Sequence, residues 1–400
     1  MTVFFLMSGV FLGWSLGAND AANVFGTAVG TRMLRFRVAA VYCSIFIILG
    51  AMVSGGGAAH TLGKLGAINA IGGAFVVAMS AGISVYLMTL LHNPVSTSQA
   101  IVGAIIGWNL FSGNPTDYTS LTRIVITWVA CPILSGIIAV ILYVFITFMI
   151  RHTRINMFQQ DSLTRSGLIL AGIFGSYALG ANNIANVMGV FIPVAPFPDV
   201  MLFGCIRFSS TQQLFFVGGI AIAAGVITYS RRVMMTVGRG IFELTPVAAF
   251  VVVTAQGLVL FIFASQRLSD LLVSHGLPAI PLVPVSSSQA IVGAVMGIAF
   301  LKGIRAIQWK TIGRIAAGWA VTPLIAAVIC FVSLFFMQNV FEVQTYKPVA
   351  CIQDTQGSGV HGSDVQGSGV HSSEVHGSEV HCSEVQGFND QGLDSCAGRD

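Results

Sequence analysis

Two short polar segments interrupt an otherwise apolar chain, and each of them occurs twice. Residues 17–23 read GANDAAN and residues 180–186 read GANNIAN. Residues 94–104 read PVSTSQAIVGA and residues 284–294 read PVSSSQAIVGA. Asp20 lies inside an apolar stretch, where a carboxylate costs about 2.5–3.5 kcal/mol on insertion scales and needs a partner or a purpose. The Asn and Gly residues beside it are poor helix formers, which can leave backbone carbonyls free to line a polar cavity. One carboxylate, the amide oxygens of Asn19 and Asn23 and freed carbonyls make a hard-oxygen cage suited to Na⁺; a protonatable Asp would suit H⁺. In the second copy Asn182 and Asn183 stand where Asn19 and Asp20 stood, and Asn186 matches Asn23. Asn183 can ligate through its carbonyl oxygen, but it brings no charge and takes no proton. A packing role for such residues is the plainer alternative; the duplication of the whole segment argues for function.

The second motif suits the opposite charge. Pro94 and Pro284 fit the first turn of a helix, and Ser/Thr there can cap it or turn hydroxyls toward a cavity. A helix N-terminus presents unpaired N–H groups and a partial positive charge, which together attract an anion. Two such starts meeting would offer the hydroxyls of Ser96, Thr97, Ser98, Ser286, Ser287 and Ser288, with Gln99 and Gln289 adjacent. A small tetrahedral oxyanion matches that arrangement.

The elements that must position these groups are membrane spans. Hydrophobic residues make up 55% of the 400 and charged residues 8%, against about a quarter charged in soluble domains; the mean hydropathy is +0.83. Crossings of about 20 residues are expected near 2–30, 38–56, 71–91, 94–112, 121–150, 166–191, 213–230, 244–265, 284–301 and 311–337. The first of these lacks a basic start and a cleavage site, so it is read as a span and not a signal peptide. Basic clusters at Arg32/Arg35/Arg37, Arg151/Arg154/Arg165, Arg231/Arg232/Arg239 and Lys302/Arg305/Lys310/Arg314 mark cytoplasmic loops and put both termini outside. Both motifs recur in the same order, so the chain divides into membrane repeat 1 (1–150), a cytoplasmic linker (151–165) and membrane repeat 2 (166–340). Five crossings per half, an odd number, turn the second copy upside down. The fold class is therefore an all-α polytopic membrane protein of two inverted repeats, with broken helices or re-entrant hairpins and roughly 10–12 membrane segments.

Residues 1–350 hold 18 Lys and Arg against seven Asp and Glu. Topology explains that basic excess, so nucleic acid is not an expected partner. Residues 351–400 form a tail whose pentapeptide units, GSGVH to CSEVQ, are too polar to fold. Its His361, His371, His376 and His381 are read as part of a disordered extension, not a metal site. Cys43, Cys131, Cys205 and Cys330 read as small packed hydrophobes. His60 and His92 read as helix-end residues and Arg207 as a snorkelling cation. Without a catalytic triad, nucleotide loop or metal cluster in the membrane body, an enzyme is not expected. The remaining readings are a cation-coupled oxyanion symporter, or a channel or sensor on the same fold.

The duplicated GANDxxN and PVS segments resemble those of the PiT family of inorganic phosphate transporters, over essentially residues 1–340. The resemblance implies about twelve membrane segments, with re-entrant hairpins carrying the PVS motifs. It also implies phosphate uptake across the plasma membrane by symport with Na⁺ or H⁺, with membrane lipid as surroundings and homo-oligomers allowed. By motif, ion ligands fall on Asp20, Asn23, Asn183 and Asn186. Phosphate ligands fall on Ser96, Thr97, Ser98, Ser286, Ser287 and Ser288. Relatives often carry Asp where Asn183 stands and His where Gln99 and Gln289 stand, and some carry sulfate. Cation type, stoichiometry and anion are the properties these departures touch.

Overall fold

The computed structural model describes residues 2–91, 95–153, 156–194, 197–202, 206–231, 233–234, 244–303 and 308–347. His92, Pro94, Arg154, Cys205, Arg232, Arg239, Glu243, Arg305 and the whole 351–400 tail lie outside the described residues.

Apolar runs punctuated by Gly and Pro become helices, twelve of them among the described residues. In the first half these are α1 (Thr2–Gly30), α2 (Phe36–Ser54), α3 (Gly56–Gly66), α4 (Ile71–Leu90), α5 (Thr97–Ser112) and α6 (Tyr118–His152). In the second they are α7 (Met157–Met188), α8 (Ser210–Thr228), α9 (Pro246–Ala264), α10 (Gln266–Ser274), α11 (Ser287–Lys302) and α12 (Trp309–Asn339). Seven stretches (α2, α4, α6, α7 with the 3₁₀ turn Gly189–Val194, α8, α9 and α12) are long and apolar enough to cross a membrane. Helix α1, with 29 residues, is long enough as well. This is an integral, multi-pass membrane protein.

Each expected crossing coincides with a helix. Helices α5 and α11, counted among the crossings and placed by the resemblance in re-entrant hairpins, have 16 residues each; about 24 Å of helix falls short of a hydrocarbon core of about 30 Å. Ahead of α11 the chain instead runs without helix from Leu277 to Ser286, exposed at Pro281 and buried from Val283 onward. Three prolines, Pro278, Pro281 and Pro284, keep that run extended and remove N–H donors that would otherwise need partners in the interior. Within the expected linker, α7 already begins at Met157, closed by an Asn156–Gln159 capping box, so residues 157–165 are helix. The first motif pair is offset by 163 residues and the second by 190, so the second half is longer between its motifs, and the added residues fall in two places. One is the 3₁₀ turn and the Val200–Leu202/Ile206–Phe208 hairpin after α7; the other is α10 with the extended run.

Packing between the halves is reciprocal. Helix α5 packs on α12 and α11 packs on α6; α1 packs on α8 and α7 on α2. A Cβ on Gly103 would overlap the Pro323 carbonyl oxygen, and one on Gly293 would overlap that of Pro132. Only glycine lets the backbones approach so closely. These prolines sit within α12 and α6, the two helices that show the most apolar surface outward, with Ile133, Ile137 and Ile141 exposed on α6. The inverse holds at the centre: residues 15–30 of α1 and 178–188 of α7 are buried on every face, the pattern of helices shielded from lipid by other helices.

At the boundaries the polar residues pair locally. Asp117 caps α6, accepting from Thr119 N at 2.9 Å, Ser120 N at 3.3 Å and Ser120 Oγ at 2.6 Å, which holds its carboxyl below the usual carboxylate range. Arg207, read from sequence as a snorkelling cation, instead donates to Asp199 at 2.6 and 3.0 Å on the exposed hairpin.

Candidate functional site

The four motif segments converge in the interior. The PVS motifs end where α5 and α11 begin: Ser96 and Ser286 are their N-caps, each hydroxyl accepting at 3.3 Å from the backbone N–H of Gln99 or Gln289. Capping leaves the N–H groups at the front of each helix for another acceptor. All eight PVS-motif candidates are buried, none more than 4% exposed.

The asparagine motifs of one half reach the serine motifs of the other. Asn23 Nδ2 donates to Ser287 Oγ at 3.1 Å, and Asn186 Nδ2 donates to Ser98 Oγ at 2.8 Å. Ser98 Oγ in turn donates to the Val285 carbonyl at 3.2 Å, linking the two helix starts. Ser286 and Ser288 share a 3.0 Å hydrogen bond, and the weak Cys131 thiol donor lies 3.7 Å from the Ser286 carbonyl. Asp20 is 1% exposed and receives a hydrogen bond from Thr97 Oγ1 at 3.2 Å on one oxygen. Its other oxygen has no hydrogen-bond partner among the described residues, and neither do Asn19 Oδ1 and Asn23 Oδ1. Buried acceptors without donors are costly. Three such oxygens, one of them charged, along less than two turns of α1 form a donor-poor, oxygen-rich set that fits a hard cation. The Gln99 and Gln289 Oε1 atoms are likewise buried and unpartnered.

The second copy differs by more than its missing charge. Asn183 Oδ1 accepts from Asn186 Nδ2 at 2.9 Å, so its oxygen is engaged and its Nδ2 is the unpartnered atom. Only Asn186 Oδ1 remains an unpartnered amide oxygen in this copy. Asn182, grouped by sequence with the cation ligands, has both amide atoms spent elsewhere: Nδ2 donates to Val283 O at 3.4 Å and Oδ1 accepts from Val285 N at 3.0 Å. It clamps the extended run on either side of Pro284. Sequence reading also passed over Thr89, whose hydroxyl accepts from Asn19 Nδ2 at 2.8 Å and orients that amide. A threonine near the end of an apolar helix carries no periodic signal that would have marked it.

Comparison with known proteins places the chain in a family. Residues 16–330, and again 279–355, match the phosphate transporter family. The chain belongs to that family. Its members are transporters and not enzymes, and phosphate is the substrate for which the family is named. A Methanocaldococcus jannaschii protein named as a phosphate permease is 27% identical over 330 residues, covering 82% of this chain and 95% of its own. An Arabidopsis thaliana chloroplastic inorganic phosphate transporter is 24% identical over 442 residues, covering 84% of this chain and 72% of its own. Among solved structures, a sodium-dependent phosphate transporter superposes with a TM-score of 0.67 at 21% identity, covering 85% of this chain and 99% of that one. The transporter therefore shares that protein's fold.

Proposed function

We propose that this transporter is a secondary active symporter that moves inorganic phosphate with Na⁺ across the plasma membrane, with both termini outside. The observation that carries the reading is the convergence of two capped helix starts, at Ser96 and Ser286, beside a buried Asp20 with an unpartnered oxygen. Phosphate is held between the two starts by backbone N–H groups and by the hydroxyls of Ser96–Ser98 and Ser286–Ser288, with the helix dipoles opposing its charge. The cation is held by Asp20 with the oxygens of Asn19 and Asn23. Three unpartnered oxygens favour a bound Na⁺ over a lone proton on Asp20. Asn186 contributes from the second copy, and Asn183 orients it.

Coupling follows from adjacency. Thr97 belongs to the anion cradle and donates to Asp20, and Asn23 of the cation set donates to Ser287 of the cradle. A cation that neutralises Asp20 removes the repulsion between that carboxylate and an incoming phosphate, so each ligand favours the other. Reciprocal packing of the halves supports an inverted-repeat exchange, in which the halves rock around a central site to open it to either face.

The test is uptake into proteoliposomes, comparing labelled phosphate with sulfate, with and without a Na⁺ gradient. The expected result is Na⁺-driven accumulation of phosphate above equilibrium, abolished in Asp20→Asn while the protein still inserts and folds. Sulfate in place of phosphate, a proton gradient in place of Na⁺, or wild-type accumulation by Asp20→Asn would each overturn the corresponding assignment.

A further inference from the structure

Helix α6 carries an arginine near each end and borders a cavity at each. Arg151 at its C-terminal end lies near the starts of α7 and α9, and Arg123 near its N-terminal end faces another cavity. That second cavity, of about 700 Å³, is lined by His60 and Thr61 of α3, Arg123, Gln266 and Ser269 of α10, and the chain from Ala279 to Leu282. No Asp or Glu lines it. Arg123 and His60 are exposed, and neither has an ion-pair or hydrogen-bond partner among the described residues. The cavity thus combines one uncompensated guanidinium, one imidazole and several neutral donors.

Its position relative to the cradle gives it a use. One wall is the extended run that descends to the site, pinned by a 2.6 Å hydrogen bond from Thr61 Oγ1 to the Leu282 carbonyl. From Leu282 the chain is exposed on one side and buried on the other, and Ser286 follows four residues later. Extended backbone covers at most about 3.3–3.6 Å per residue, so the cavity wall and the cradle lie within about 14 Å along this segment.

We propose that the cavity is an outer receiving site for hydrogen phosphate, held there by Arg123 with His60, Gln266 and Ser269 before it moves along residues 282–286 to the cradle. The guanidinium presents a planar fork of donors that matches two oxygens of a tetrahedral oxyanion. A cleft of one sign of charge raises the local concentration of the opposite ion, and that gain is screened by salt. The proposal rests on the phosphate-transport reading above and adds to it a residue that acts on capture and not on the transport step.

The experiment measures initial uptake against phosphate concentration in proteoliposomes at fixed Na⁺, at low and at high ionic strength. The variants are Arg123→Gln, Arg123→Glu, Arg123→Lys and, for the cradle, Ser286→Ala. At low ionic strength Arg123→Gln should raise the KM about tenfold with the maximal rate unchanged, Arg123→Glu should raise it further, and Arg123→Lys should restore most of it. At high ionic strength the four Arg123 proteins, wild type included, should converge. A wild-type KM in Arg123→Gln and Arg123→Glu at low ionic strength overturns the proposal. So does a lowered maximal rate with unchanged KM, which would mark Arg123 as structural. If Ser286→Ala weakens uptake while Arg123→Gln and Arg123→Glu behave as wild type, the receiving site alone is wrong. If Ser286→Ala is also without effect, the central site is wrong with it.

Discussion

Asn182→Ala separates scaffold from ligand. The Asn182 carboxamide spans Pro284, donating to Val283 O at 3.4 Å and accepting from Val285 N at 3.0 Å. Val283 and Val285 are 1% and 0% exposed, so no solvent replaces those partners when the side chain is cut back. An unsatisfied buried polar group costs about 1–3 kcal/mol, which puts the pair at about 2–6 kcal/mol. The 3.4 Å contact is near the limit of a hydrogen bond, so most of the loss falls on the Val285 N–H, and about 2–4 kcal/mol is the expected value. Against a total stability of about 5–15 kcal/mol for a typical domain, that is a large share. It is concentrated on the segment that delivers Ser286. Purified Asn182→Ala should therefore unfold at lower temperature and bind phosphate more weakly, while the Na⁺ concentration for half-maximal uptake stays as in wild type. A stability equal to wild type, or an altered Na⁺ requirement in a fully stable protein, would refute the clamp and return Asn182 to the cation site.

Gly103→Ala and Gly293→Ala each push a methyl into a proline carbonyl of the facing helix, an overpacking worth about 1–3 kcal/mol. Gly313→Ala, with nothing within 4 Å of the added atom, should instead be neutral or slightly stabilising; equal unfolding temperatures for all three variants would contradict the packing. Ser96→Ala and Ser286→Ala lose a hydrogen bond to a charged ligand, about 1.5–3 kcal/mol or roughly 10- to 150-fold in phosphate affinity. Titration calorimetry that finds unchanged affinity in both would misplace the cradle. Asn183→Asp puts a second carboxylate 2.9 Å from the Asn186 amide, where it needs a cation or a proton to offset its burial. Its uptake should gain a new Na⁺ or pH dependence, and curves superimposable on wild type from a folded variant would remove Asn183 from the site.

The membrane body was legible in the chain by itself, and so were the duplicated motifs from which the candidate site residues are drawn. That follows from physics that acts locally: hydrocarbon demands long apolar helices, and a carboxylate such as Asp20 inside one is costly enough to single the position out as a candidate. Duplication then singled out Asn23 with Asn186 and Ser96 with Ser286. What the sequence could not decide is which of these groups still have something to offer. Asn182 and Asn183 are adjacent and chemically identical, yet one clamps Val283 and Val285 and the other faces Asn186. Successive residues on a helix point about 100° apart, and only the packed neighbours determine what each one meets. The cross-links from Asn23 to Ser287 and from Asn186 to Ser98 join residues 264 and 88 positions apart. No local pattern encodes such a pairing; it exists because glycine faces let the helices of the two halves close on each other and bring two half-length helices, end first, to the same buried point.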